Sequence, residues 1–159
     1  MNITILCVGK LKESYWAEAA QEYSKRLRKY CLLTINEMKE EKASSNPSGA
    51  EELAIKAEEG RNIIKQIKGD MYVIACDLRG SQLSSENMAE KISLLGISGK
   101  SHIAFIIGGS IGLSEEVLSK ADFQLSFSNM TFPHQLMRVV LLEQIYRSFK
   151  INKNETYHK

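Results

Sequence analysis

Five short apolar runs, separated by segments with helical periodicity, constrain the fold of this chain more than any other feature. The runs are NITILCV, CLLTINEM, MYVIACD, HIAFII and DFQLSFS, which begin at residues 2, 31, 71, 102 and 122. Nearly continuous apolar strands that alternate with helices are typical of a mainly parallel sheet covered by helices on both faces. The sequence therefore predicts an α/β fold. Ligands of such folds bind beyond the carboxyl ends of the strands, which indicates the loops after Asp77, Ile107 and Phe127. The length of the chain and the lack of an internal linker predict a single domain over residues 1–159.

The intervening segments place apolar residues at i, i+3 and i+4 spacing, which predicts helices. The predicted helices run from about residue 14 to 30, 53 to 67, 85 to 95 and 133 to 149, with a short one after Ser114. In the second helix, Leu53, Ala57, Gly60 and Ile64 are expected to form the buried face. Residues 39–49 contain Ser, Pro, Gly and charge without periodicity, so we expect a flexible loop suited to a lid or a binding role.

Composition and residue spacing exclude several classes of protein. The first apolar run is too short for a signal segment or a membrane span, which predicts a cytoplasmic protein with no membrane contact. Cys7, Cys31 and Cys76 form no CxxC pair, and the three histidines lack the spacing of metal ligands, so we expect no metal.

A formal net charge of +2 is too small to indicate a nucleic-acid binder unless the cations are concentrated on one face. Two concentrations exist, KRLRKY at residues 25–30 and the C-terminal segment with Arg147, Lys150, Lys153 and Lys159. Cations also complement the dipole at the end of a helix, so the first cluster has a structural explanation as well.

The segment HIAFIIGGSIGLSEE, residues 102–116, leads from a strand through glycines into a helix start. Its spacing matches neither phosphate-binding motif, and no Lys follows. Ser114 suits an N-cap, while Glu115 and Glu116 in the first turn would repel a phosphate. Glycines also allow close approach of a bulky ligand, and S-adenosylmethionine, which is cationic and lacks phosphate, suits such a loop. A tight turn without a ligand remains the alternative.

The last predicted helix is apolar on nearly all sides, yet it contains Arg138. A buried arginine is expected either to pair with a carboxylate or to act in a functional site. Glu143 and Arg147 form a favourable i, i+4 pair, which we expect to leave Arg138 free. The tail INKNETYHK is interpreted either as a frayed end or as an RNA clamp in which Tyr157 and His158 meet a base.

Five motifs carry a resemblance to a known family: VGKLK at 8–12, CDLRG at 76–80, FIIGGSIGLS at 105–114, MTFPHQLMRVVLLEQIYRSFKI at 130–151 and the final YHK. On these the chain resembles, over essentially its full length, the RlmH family of SPOUT-class methyltransferases. That family methylates N3 of a pseudouridine in a 23S rRNA stem-loop at the ribosomal subunit interface. The resemblance implies a C-terminal trefoil knot, which general topology rules do not predict. It also implies a homodimer with its S-adenosylmethionine pockets at the interface, and assembled ribosomes as the substrate.

Residue by residue, the resemblance implies cofactor contacts at three of the predicted strand ends. These residues are Cys76, Gly108, Phe127, Ser128, Asn129, Met130, Thr131 and Phe132. We further expect Arg138 to stabilise negative charge developing on the base, and Tyr157 and His158 to position the base and relay its proton.

Two departures from the family pattern stand out. Cys76 replaces a common Leu, and Asn154, Glu155 and Thr156 replace a Gly and a Pro, which predicts a less rigid tail. Two other functions stay open at this point: a ribosome-associated binding module without catalysis, and a nucleotide or flavin protein that uses the Gly108 loop as an anion site.

Overall fold

A computed structural model describes residues 1–157 of the chain. Five parallel strands form one sheet in the order β2-β1-β4-β3-β5. Their bounds are Asn2–Val8 (β1), Leu32–Met38 (β2), Tyr72–Gln82 (β3), His102–Ile107 (β4) and Phe123–Ser126 (β5). Strand β1, between β2 and β4, places Ile5 opposite Ile35 of β2 on one side and Phe105 of β4 on the other. The predicted parallel α/β sheet is confirmed.

Five helices cover both faces of this sheet, as predicted. Their bounds are Ser14–Leu27 (α1), Gly49–Ile64 (α2), Ser85–Ile97 (α3), Glu115–Ser119 (α4) and His134–Asn152 (α5). Helices α1, α3 and α5 share one apolar core with the sheet, in which Phe105 and Leu141 are fully buried. Helices α2 and α4 share the second core on the opposite face, around Ile63, Ile106 and Val117. Burial of apolar area in these two layers is the main stabilising contribution.

Strand β3 is longer than the sequence predicts. The loop expected after Asp77 instead continues as strand to Gln82, with an irregular register between Cys76 and Ser81 where β3 meets β5. This extension is mostly exposed, so it lacks the apolar alternation from which a strand is predicted. A Cβ on Gly80 would lie 2.6 Å from the Gln124 carbonyl oxygen, so the close approach of the two strands requires glycine here.

Two helix predictions need correction. The buried face of α2 is formed by Ile55, Glu59, Gly60 and Ile63, whereas Leu53 is 69% exposed. Helix α3 continues through Gly96, and Gly99 is the glycine with positive φ beyond its end. Residues 39–48 form the predicted loop, but it is tied to α2 because the Ser44 N–H and hydroxyl both donate to Glu51. The trefoil knot stays a prediction from the resemblance.

Candidate functional site

A cavity of about 790 Å³ lies at the carboxyl ends of β3, β4 and β5. Ligands of open parallel sheets bind beyond this edge. Three chain segments form its walls, residues 76–79, 107–113 and 125–134 except for residue 129, and Lys56, Glu115 and Met137 complete the lining. The cavity therefore lies at the three strand ends that the sequence indicates, and its volume falls in the range of small-molecule sites, roughly 300–1,000 Å³.

The glycines after β4 form a tight turn against the cavity. The Gly112 N–H donates to the Gly109 carbonyl at 3.1 Å, and Gly112 has a φ of +93°, which favours glycine. A Cβ on Gly108 would lie 2.8 Å from the Gly112 carbonyl carbon, so a larger residue there would push the turn apart. The three glycines of the turn therefore line the cavity with main chain only, next to Ser110 and Ile111.

The helix that follows this turn is capped from within the chain. Ser114 Oγ accepts a hydrogen bond from the Val117 N–H, and Glu115 and Glu116 occupy the first turn of α4. Both carboxylates already complement the N-terminal end of the helix dipole. This geometry agrees with the sequence prediction that the glycine loop is not a phosphate cradle.

The charged side chains on the cavity wall balance one another. Arg79 donates from Nε to Asp77 Oδ1 at 3.0 Å and from Nη1 to Glu115 Oε1 at 2.9 Å. The hydrogen bond to Asp77, followed by that to Glu115, raises the pKa of the Arg79 guanidinium above its usual value. Lys56 is the second cation of the lining. Two cations against two carboxylates provide no excess positive charge for a polyphosphate.

The remaining wall is mostly apolar. Burial raises the pKa of the Cys76 thiol to about 12, so this side chain is neutral at physiological pH. Leu78, Met130 and Phe132 also line the cavity, yet all three are exposed to solvent, Met130 by 70%. The mouth of the cavity therefore carries an exposed apolar rim.

Most cofactor residues expected from the resemblance lie together on this wall. Seven of the eight line the cavity: Cys76, Gly108, Phe127, Ser128, Met130, Thr131 and Phe132. The eighth, Asn129, is not among the lining residues, because its side-chain oxygen accepts a hydrogen bond from Gln82 Nε2 at 2.9 Å.

Arg138 does not lie on the cavity wall, and the expectation that it is free is wrong. Its side chain is buried, with the residue only 1% exposed, and its Nη1 pairs with the Glu37 carboxylate at the end of β2. Its Nη2 donates to the Gly9 carbonyl at 2.9 Å. The sequence places Glu37 more than a hundred residues away, so no local spacing reveals this partner. The predicted pair of Glu143 and Arg147 does form, at 2.6 Å.

Tyr157 also lies away from the cavity lining. Its hydroxyl donates to Glu143 Oε1 at 3.1 Å, and the Arg147 guanidinium lies 4.7 Å from its ring centroid. Burial and hydrogen bonding raise the pKa of the Tyr157 hydroxyl well above its usual value. His158, the third predicted catalytic residue, lies outside the described residues.

The segment before Tyr157 forms a helix cap. The lower rigidity expected of the tail stays a prediction. Asn154 has a φ of +53°, and the N–H groups of Asn154 and Glu155 donate to the carbonyls of Ile151 and Lys150. These are the two hydrogen bonds of a Schellman motif, in which Asn can replace Gly. Glu155 also accepts a hydrogen bond from the Tyr30 hydroxyl at 2.6 Å, which joins the tail to the turn between α1 and β2.

Sequence reasoning missed several cavity residues. Asp77, Leu78 and Arg79 belong to the CDLRG motif, which indicated only a strand end. His134 opens α5 at the cavity wall, and its Nε2 is buried without a hydrogen-bond partner among residues 1–157. Within that part of the chain, no group of His, Cys, Asp and Glu could hold a metal ion. None of the described helices is long and apolar enough to cross a membrane.

Comparison with known proteins gives full-length matches. The family described as "Predicted SPOUT methyltransferase" matches residues 1–158. Relatives from Clostridium novyi (strain NT) and Alkaliphilus oremlandii (strain OhILAs) are 61% and 59% identical over 159 residues, which cover 100% of this chain and of each relative. Both are named ribosomal RNA large subunit methyltransferase H.

Solved structures agree at the level of the fold. A methylase family protein from Haemophilus influenzae Rd KW20 has a TM-score of 0.57 at 18% identity, over 99% of this chain and 70% of its own. A second, from Neisseria gonorrhoeae, has a TM-score of 0.55 at 14% identity, over 99% and 86%. The chain belongs to the SPOUT methyltransferase family, and its full-length relatives group it with the RlmH proteins of that family.

Proposed function

We propose that this protein transfers a methyl group from S-adenosylmethionine to N3 of a pseudouridine in 23S rRNA. The observation that carries the proposal is the charge-balanced cavity beside the glycine turn. It occurs in a chain whose relatives, at about 60% identity, are named for methylation of large-subunit rRNA.

The cavity suits S-adenosylmethionine better than a nucleotide phosphate. Its wall combines the neutral Cys76 thiol with the apolar side chains of Leu78 and Phe132. Gly108 lines the cavity without a side chain, which is compatible with close approach of a flat adenine ring. Glu115 next to the turn is compatible with the positive sulfonium of this donor and unfavourable for a triphosphate.

The donor supplies an electrophilic methyl group, so the protein's task is to align the base and remove its N3 proton. We assign the alignment and the proton relay to Tyr157 and His158. The Glu143 carboxylate holds the Tyr157 hydroxyl, and the Arg147 guanidinium packs over its ring. Arg138 acts as a positioning residue, because its pair with Glu37 anchors the start of α5 beside the cavity. Proton transfer by a positioned side chain contributes roughly 10²–10⁴-fold to a rate.

We also propose that the protein acts as a homodimer. The exposed rim of Leu78, Met130 and Phe132 at the cavity mouth is an apolar surface of the kind that a second copy buries. Tyr157 does not line the cavity of its own protomer. A dimer across this rim would bring the partner subunit's tail to the cavity and complete the site.

The basic ends of α1 and α5 provide a surface for rRNA. Residues 25–30 and 147–153 contain seven cations and no carboxylate, and the stacking of Tyr30 on Phe149 at 5.7 Å brings the two segments together. Three of these cations pair with Glu22, Glu143 and Glu155. The cluster thus keeps a net charge of +4, against +2 for the whole chain. A concentration of this kind holds phosphates.

Two experiments test the proposal. First, the thermal unfolding midpoint is measured with S-adenosylmethionine, ATP or FMN, and only the first is expected to raise it. Second, methyl transfer is measured on ribosomes from cells that lack this protein. Transfer to ribosomes is expected, with slower transfer to naked 23S rRNA, and His158→Ala should lower the rate while leaving donor affinity unchanged. Donor binding without any transfer would instead indicate the binding module.

A further inference from the structure

A buried carboxylate packs against the glycine turn without lining the cavity. Glu59 of α2 is only 4% exposed, and its Oε1 accepts a hydrogen bond from the Glu41 N–H at 3.0 Å. The bond ties the loop of residues 39–48 to α2. No salt bridge to Glu59 occurs among residues 1–157. Ionised carboxylates are rarely buried without a cation, so we expect Glu59 to have a specific structural or functional role.

Helix α2 contacts both ends of the segment that follows β4. A Cβ on Gly109 would lie 3.1 Å from Glu59 Oε2, so the carboxylate packs directly against the turn. A Cβ on the next residue of the helix, Gly60, would lie 2.4 Å from Ser114 Oγ, the cap of α4. Lys56, one helical turn earlier on the same face, lines the cavity. Glu59 and Gly60 thus form the part of α2 against which residues 109–114 pack.

Burying the Glu59 carboxylate at this position has a free-energy cost. Burial raises the pKa of the Glu59 carboxyl, with a further contribution from the negative charges of Glu40 and Glu41. An apolar residue of similar size would fill the same space without this cost. What it would lack is the acceptor that Glu59 offers to the Glu41 N–H.

We propose that Glu59 is a positioning residue for the methyl donor, which holds the glycine turn in its binding geometry by locking the 39–48 loop and the turn onto α2. The inference rests on the proposed function, since it takes the cavity as the S-adenosylmethionine site. Glu59 itself does not line the cavity, so its effect on the donor passes through Gly109 and its neighbours.

Calorimetric titration with S-adenosylmethionine tests the role of Glu59. Glu59→Ala should weaken donor binding about tenfold, the loss of one hydrogen bond to a charged group. Glu59→Gln keeps an acceptor oxygen and should bind within threefold of the natural protein. Glu58→Gln, at the exposed neighbouring carboxylate that pairs with Arg61, is the control and should bind unchanged. Unfolding midpoints without donor show whether each variant is folded.

A second pair of variants changes the donor of the hydrogen bond and leaves Glu59 intact. Glu41→Pro removes the N–H that Glu59 accepts, and it should weaken donor binding in the same direction as Glu59→Ala. Glu41→Ala keeps that N–H and should bind normally. This pair decides the question if Glu59→Ala does not fold.

The outcomes separate the two proposals. If the natural protein gives no heat with S-adenosylmethionine, the proposed function fails. If it binds, the positioning role is overturned by tight donor binding in both Glu59→Ala and Glu41→Pro. It is also overturned if Glu59→Gln is as weak as Glu59→Ala, because charge and not the hydrogen bond would then matter.

Discussion

The pair formed by Arg138 and Glu37 allows a quantitative prediction about α5. Replacing Glu37 with Ala removes the carboxylate that faces Nη1 of a guanidinium buried to 1% exposure. Arginine stays protonated, so its charge remains in the core. The bond from Nη2 to the Gly9 carbonyl persists and offsets only part of the loss. We therefore expect Glu37→Ala to destabilise the fold.

The size of the destabilisation depends on how deeply the Arg138 and Glu37 side chains are buried. Removing one partner of a fully buried pair costs about 3–5 kcal/mol, and a hydrogen bond to a charged group contributes about 1.5–3 kcal/mol. The Glu37 side chain is 33% exposed, so in Glu37→Ala water can replace part of its stabilisation of the guanidinium. We therefore expect the free energy of unfolding to fall by about 2–3 kcal/mol. In a protein of this size that lowers the unfolding midpoint by about 4–12 °C.

Thermal unfolding followed by circular dichroism measures the change, with Arg138→Met and the double variant completing a double-mutant cycle. The double variant should lose less stability than the two single changes together, because the uncompensated charge is then gone. A midpoint within 2 °C of the natural protein would refute the assignment of Arg138 as a buried, paired residue.

Three further predictions concern the cavity, the tail and the thiols. Gly108→Ala should weaken S-adenosylmethionine binding in calorimetry because its Cβ would press on the facing turn, whereas Gly69→Ala, with nothing within 4 Å, should not. Tyr157→Phe removes the hydroxyl bonded to Glu143, so the methyl-transfer rate on ribosomes should fall while donor affinity holds; an equal rate would contradict its role. Burial raises the pKa of Cys31 from 9.0 to about 11. The native state therefore holds this proton more tightly, and stability should fall as pH rises from about 9 to 11. Unfolding midpoints should show a shallower fall in Cys31→Ala.

Much of the fold is predictable from local pattern. The apolar runs identify all five described strands. The signal is strongest in β1 and β4, because a strand buried on both faces must be apolar along its length. Ser114 predicts the start of α4 because a cap depends on neighbouring backbone only. The extension of β3 to Gln82 escapes prediction, because its exposed residues pair with β5 and bury little. The face of α2 was misassigned because Leu53 and Ile55 differ in burial through contacts made elsewhere in the chain.

The candidate site is likewise predictable from the sequence only in part. Strand ends in a parallel sheet meet at one edge, so the sequence could locate Cys76, Gly108 and Phe127 on a common wall. The resemblance supplied the individual residues on that wall. Neither the sequence pattern nor the resemblance predicts that Arg138 pairs with Glu37, because the two residues meet only when α5 packs beside the end of β2.

The sequence by itself determined the strands, the helices, the sheet edge that holds the cavity and the absence of a phosphate motif, since each depends on residues close in the chain. Tertiary structure alone decided which charges neutralise one another, where Tyr157 lies, and that Glu59 supports the glycine turn. These depend on contacts between distant segments, and a side chain's partner is set by the packing of whole elements and not by its neighbours in sequence.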